Sequence, residues 1–254
     1  MKAFSRSMSR AKARRGFTLI ELIVVLMILV GLAGMVIPAV TDMVSRTHTS
    51  TSSGNIAEVA NAIARYETQY LQYPNNFDSL VTNLATGAAL GTLDEEIRAG
   101  GDHALTTVAL NTVNAAGEEI IESLEHAGII SLGVHTTGNG SFDRALPTTL
   151  LETHSVLGLS VTEQVANGLE TVGVANKYVV FGVGNINTAI GKTMTEAPVE
   201  FPEGGQVNPA ANYRRFLAVF DVSGERAKLV KILGPHGTGL DAHMSEYFEV
   251  VADN

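Results

Sequence analysis

From Phe17 to Val40 the chain reads FTLIELIVVLMILVGLAGMVIPAV, an apolar run of 24 positions in which Glu21 is the one ionisable side chain. As a helix it spans about 36 Å against a hydrocarbon core of roughly 30 Å, enough to cross a bilayer with some tilt. The pattern then changes. Residues 41–55, TDMVSRTHTSTSSGN, are polar, with Ser or Thr at seven positions between 45 and 53. Hydroxyl side chains compete for backbone hydrogen bonds, and Gly54 adds about 1 kcal/mol of helix cost relative to Ala. A weak helix is expected here, either continuous or loosened over 45–54. Asn55 and Glu58 have the spacing of a capping box, and Ile56, Val59, Ala60, Ile63, Tyr66 or Glu67, and Tyr70 recur at helical period, predicting an amphipathic helix over about 55–72. Tyr73-Pro74-Asn75-Asn76 ends it, because the residue before proline avoids the helical region and the asparagines favour turns.

Residues 82–176 are rich in Thr, Gly, Ala and Asn and read as an elaborated connecting region, a set of loops or a subdomain. Within it, Ile120, Ile121 and Leu124 make an apolar stripe over Glu118–Ala127, with Gly128 as C-cap, and Thr162–Leu169 is a second helical segment. Residues 177–254 read as strands: YVVFGVG (178–184), RRFLAVFDV (214–222) and AKLVKIL (227–233) are rich in Val, Phe and Leu. Ser223-Gly224-Glu225-Arg226 makes a hairpin turn between the last two, and Tyr247–Val251 either adds an edge strand or ends a last helix. The simplest architecture that buries these faces is α+β, an N-terminal helix packed on a C-terminal antiparallel sheet. The expected divisions are a leader (1–16), a membrane or assembly helix (17–40), a weak then amphipathic helix (41–81), the connecting region (82–176) and the sheet (177–254).

Charge sharpens this picture. Six of the chain's 17 Lys and Arg lie in residues 1–16, which contain no acid. The rest carries 11 basic against 26 acidic residues, a formal charge of −15. A body that acidic repels nucleic-acid phosphates, whereas a cationic leader beside an apolar run suits an anionic cytoplasmic membrane surface. The cation excess sets the leader in the cytoplasm and everything after Pro38 on the far side. The chain has no cysteine, which excludes disulfides, thiolate metal sites and a cysteine nucleophile.

A secretory signal would have a shorter apolar core ending in a small-x-small site, but this core runs on through Val36 and Ile37. A plain signal anchor fits the length and leaves Glu21 unexplained, and a carboxylate inside an apolar span marks a functional site by default. Were the chain cut after Gly16, Phe17 would present a new α-amine four residues from Glu21 on about the same helix face. Each could then serve a neighbouring copy, neutralising both charges in lipid. The string Arg15-Gly16-Phe17-Thr18-Leu19-Ile20-Glu21, with its basic leader and the apolar run holding Pro38, resembles the class III signal of type IV pilins and type II secretion pseudopilins. That resemblance implies cleavage between Gly16 and Phe17 by a prepilin peptidase, N-methylation of Phe17, an assembly role for Glu21 and a match of Pro38 to the helix-kinking proline of the family. RYETQYLQYPNNFDSLV (65–81) is similar to the end of the first helix in major pseudopilins, where a Tyr-Pro precedes a short helix. Together these similarities cover about a third of the chain and imply a pilin-like fold.

Other motifs along the sequence fall short of a defined chemical site. Gly182-Val183-Gly184 with Gly191-Lys192 meets neither the dinucleotide nor the phosphate-loop spacing and reads as a strand-ending turn. His236, Asp241 and His243 lack zincin spacing and read as loop residues. The major pseudopilins often hold calcium in a C-terminal loop, for which Asp221, Ser223, Glu225 or Asp241 offer oxygens without a residue-by-residue match. No Gly-x-Ser-x-Gly elbow occurs. The expectation is therefore a non-enzymatic subunit with no cofactor and no metal. Its partners are a prepilin peptidase, copies of itself and other pilin-like subunits, an inner-membrane assembly platform and membrane lipid. It would sit single-pass in a bacterial inner membrane and then in a periplasmic or extracellular filament. Two rivals remain: a membrane-anchored binding protein or enzyme with a far-side domain, and a minor pilin for adhesion or DNA uptake, which would need a basic patch such as Arg214 and Arg215.

Overall fold

The computed structural model describes residues 18–110, 115–135, 145–149, 154–171, 177–200 and 212–252. The chain divides into two compact units, Met1–Val44 and Ser45–Asn254. Helix α1 (Leu19–Tyr70) contributes to both. In the first unit its side chains from Leu19 to Ile37 are exposed, with Leu19, Met27 and Val30 each above 70%. The helix passes Pro38 without interruption. Proline has no N–H to give to the carbonyl four residues back, and close by the Thr41 hydroxyl donates to the Ile37 carbonyl at 3.3 Å.

In the second unit the rest of α1 buries one stripe: Thr49, Ser52, Ile56, Val59, Ile63 and Tyr66. The spacing of three and four residues is that of a single helical face. The helix is unbroken through 45–54. Its hydroxyls are used inside the helix, with Thr51 donating to the Thr47 carbonyl at 2.8 Å and Ser53 to that of Thr49 at 2.9 Å. Burial of Thr49 and Ser52 supplies tertiary support that propensity alone does not register. The helix closes where Leu71, at φ 58°, takes the left-handed conformation and donates its N–H to the Glu67 carbonyl.

Among the described residues ten strands follow: β1 (Phe77–Asp78), β2 (Val81–Asn83), β3 (Ala88–Ala89), β4 (Leu105–Ala109), β5 (Ser131–His135), β6 (Ala145–Thr149), β7 (Ser155–Leu159), β8 (Tyr178–Gly182), β9 (Leu217–Asp221) and β10 (Lys228–Leu233). Strands β2 and β3 form a small ribbon; the other eight make one sheet of order β10-β9-β8-β1-β5-β6, with β7 also pairing β8 and β4 pairing β7. All pairs are antiparallel except β1 with β5. The architecture is the expected α+β class. The stretch 82–176 is more than connector, since β4 to β7 belong to the same sheet as the C-terminal strands. The segment after Tyr73-Pro74 enters the sheet as β1, where the pseudopilin resemblance implied a short helix.

One buried cluster joins the α1 stripe to the sheet. At its centre Phe77 meets Phe220 edge-on at 5.4 Å, and Tyr73 meets Phe220 the same way at 5.2 Å. Helix α2 (Ala115–His126) buries Ile120, Ile121 and Leu124 and turns Glu118, Glu119, Glu122 and Glu125 to solvent. Gly128, at φ 89°, ends it as expected, and a Cβ there would meet Gln72 at 2.5 Å. Helix α3 (Val161–Ala166) starts from the Ser160 cap, whose hydroxyl accepts from the Glu163 N–H. The 247–251 segment lies in helix α4 (Leu240–Ala252).

Candidate functional site

The sequence places the site at the start of α1. Gly16 and Phe17, the two residues flanking the expected cut, and the basic leader before them lie outside the described residues. From Thr18 the geometry is explicit. The Thr18 N–H and hydroxyl both donate to Glu21 Oε2 at 2.8 Å, and the Glu21 N–H donates back to the Thr18 hydroxyl at 3.3 Å. This is a reciprocal capping box: the helix's first free N–H groups and the carboxylate satisfy one another. The arrangement also sets a negative charge at the positive end of the helix. Both Thr18 donors converge on one oxygen, leaving Oε1 without a hydrogen bond among the described residues. Thr18 was not singled out by the sequence reading, although its Thr-x-x-Glu spacing is the signal that would have found it.

Beyond this cap the helix offers Leu19–Ile37, 19 residues with Glu21 as the one charge and no side chain covered, long enough to span a bilayer by length and composition. Pro38 follows within the same helix. In the second unit, the face of α1 turned away from the core presents Gly54, Ala57, Asn61, Ala64 and Thr68 along an open groove. Their three-and-four spacing is that of a helix-packing seam, and side chains this small permit close backbone approach. Glu58 and Arg65 flank the seam.

The molecule is thus an N-terminal apolar helix with a capped carboxylate, continued into an α+β unit built on an eight-stranded sheet. Residues 11–37 match the family model described as the prokaryotic N-terminal methylation motif. No curated protein and no solved structure matches the chain. The motif is that of a class III prepilin signal, so the chain is consistent with a pilin or pseudopilin and points to processing by prepilin peptidase.

Residues of the other sequence motifs make contacts within the fold. Gly182 ends β8 and Gly184 lies against the Asp78 carboxylate, so the Gly-Val-Gly turn makes room for a side chain. Asp221 accepts from the N–H and hydroxyl of Ser223 at 2.9 and 2.6 Å, Asp241 pairs with Lys231 at 2.6 Å, and His243 bonds Thr238 at 3.0 Å. Arg214 and Arg215 are buried rather than forming a basic patch. Arg215 donates to the Ala197 carbonyl, while Arg214 pairs with Asp94 at 3.0 Å and donates to His236 Nε2 at 2.8 Å. Asp94, Glu96 and His236 gather three ligand-type atoms within 4.8 Å of one another. The Arg214 guanidinium already supplies the cation there, and its donation requires the lone pair of His236 to face it.

A buried cluster was not anticipated. Tyr213, fully buried, donates its hydroxyl to Asp78 Oδ2 at 2.8 Å, and His135 Nε2 lies 3.6 Å from the same oxygen. Burial first, and then the Asp78 charge, push the Tyr213 phenol well above its ordinary range, so it acts as a permanent donor. The residues come from β1, β5 and the segment before β9, and the bond pins the two-residue strand β1 between its neighbours.

Proposed function

We propose that this chain is the precursor of a filament subunit of the type IV pilus or type II secretion pseudopilus kind. It is cut between Gly16 and Phe17, N-methylated on Phe17, and polymerised through α1. The observation that carries this reading is the coincidence, within the methylation motif, of an uncovered apolar helix and one carboxylate held at its first turn. In lipid the carboxylate needs a cation, and the new Phe17 amine of a neighbouring copy supplies one. Oε1 of Glu21, which Thr18 leaves open, is the acceptor for that amine. Packing of apolar helices provides the cohesion, and the amine–carboxylate pair sets axial register. The small-residue seam from Gly54 to Thr68 supports continued contact between subunits along the second half of the helix. The role is structural rather than catalytic, and the subunit is held single-pass in the inner membrane before assembly, with its C-terminal unit outside the cytoplasm.

The test is the N-terminal mass of the protein recovered from membranes of its native host. A start at methylated Phe17 supports the reading. A start at Met1 overturns it and leaves the C-terminal unit as an anchored domain with work of its own.

A further inference from the structure

We draw no further inference here: the strongest candidate, the Asp94–Glu96–His236 cluster between the β3–β4 loop and the β10–α4 turn, already has its cation in the Arg214 guanidinium, and no second observation among the described residues points to an ion there.

Discussion

Replacing Tyr213 by Phe removes one oxygen and leaves a carboxylate in the sheet short of its donor. Asp78 is 1% exposed and Tyr213 fully buried, so water does not readily replace the lost bond. The second oxygen of Asp78 has no hydrogen bond, and His135 at 3.6 Å is too far for one. A hydrogen bond to a charged group contributes about 1.5–3 kcal/mol, and orphaning its buried partner puts the cost in the upper half of that range. At roughly 2–4 °C per kcal/mol for a unit of this size, the midpoint of thermal unfolding should fall by about 4–12 °C. The chain has no tryptophan, so unfolding of the full-length protein in detergent would be followed by far-ultraviolet circular dichroism, on heating for the midpoint and in urea for the free energies. Asp78→Ala provides the control: with the carboxylate gone, Tyr213→Phe should cost far less, giving a coupling energy of about 1.5–3 kcal/mol. A Tyr213→Phe protein as stable as the parent, or equal losses in both backgrounds, would refute the argument that this bond holds β1 in place.

Four further outcomes are expected. Glu21→Ala should insert and be processed normally but fail to assemble, as read by sedimentation of sheared filaments; abundant filaments would remove the pairing mechanism. Gly16→Ala, or a larger residue, should leave the leader attached, and a processed N-terminal mass in that variant would count against prepilin peptidase. Gly182→Ala drives a methyl into the Tyr213 phenol; overpacking costs typically 1–3 kcal/mol and loss of the Asp78 bond adds about 1.5–3 kcal/mol, so hydrogen exchange at β1 and β8 should rise by about two to four orders of magnitude. His154 is buried, which lowers its pKa from 6.5. Its neutral form is thus favoured in the folded chain, and the stability this contributes is present above pH 6.5 and lost as pH falls through the folded value. His154→Gln should flatten the stability profile between pH 7 and 5, and an unchanged slope would assign the acid limb to other groups.

What could be read in the sequence was what repeats locally. The run from Phe17 to Val40, the Ile56–Val59–Ile63–Tyr66 stripe and the β-rich runs at 178, 217 and 228 each carry their period within a few turns or one strand. The strands of the connecting region do not. LTTVA, SLGVH, ALPTT and SVLGL are five residues each and broken by Gly, Pro or Thr, and only pairing to distant partners makes them strands. The methylation motif is legible in the sequence because signal, apolar run and carboxylate are contiguous, while the Thr18 cap and the small-residue seam on α1 emerge from the structure. The Asp78–Tyr213 bond joins residues 135 positions apart. No spacing rule announces such a pair, and the glycines that admit it look like ordinary turn residues. Helix α4 is ambiguous in the sequence because the short segment YFEVV suits either state, and the helix begins seven residues earlier, at Leu240.

The place of β1 also sets a schedule for synthesis. The strand lies between β8 and β5, and the α1 stripe packs in the same core as β8 and β9. About 155 residues separate Tyr66 from the end of β9, so at 5–20 residues per second the ribosome needs roughly 8–30 s to deliver the strands that cover that stripe. During that interval Ile56, Val59, Ile63 and Tyr66 face water or a chaperone. An anchor made first would therefore tether the growing chain while the sheet that completes its core is still being translated.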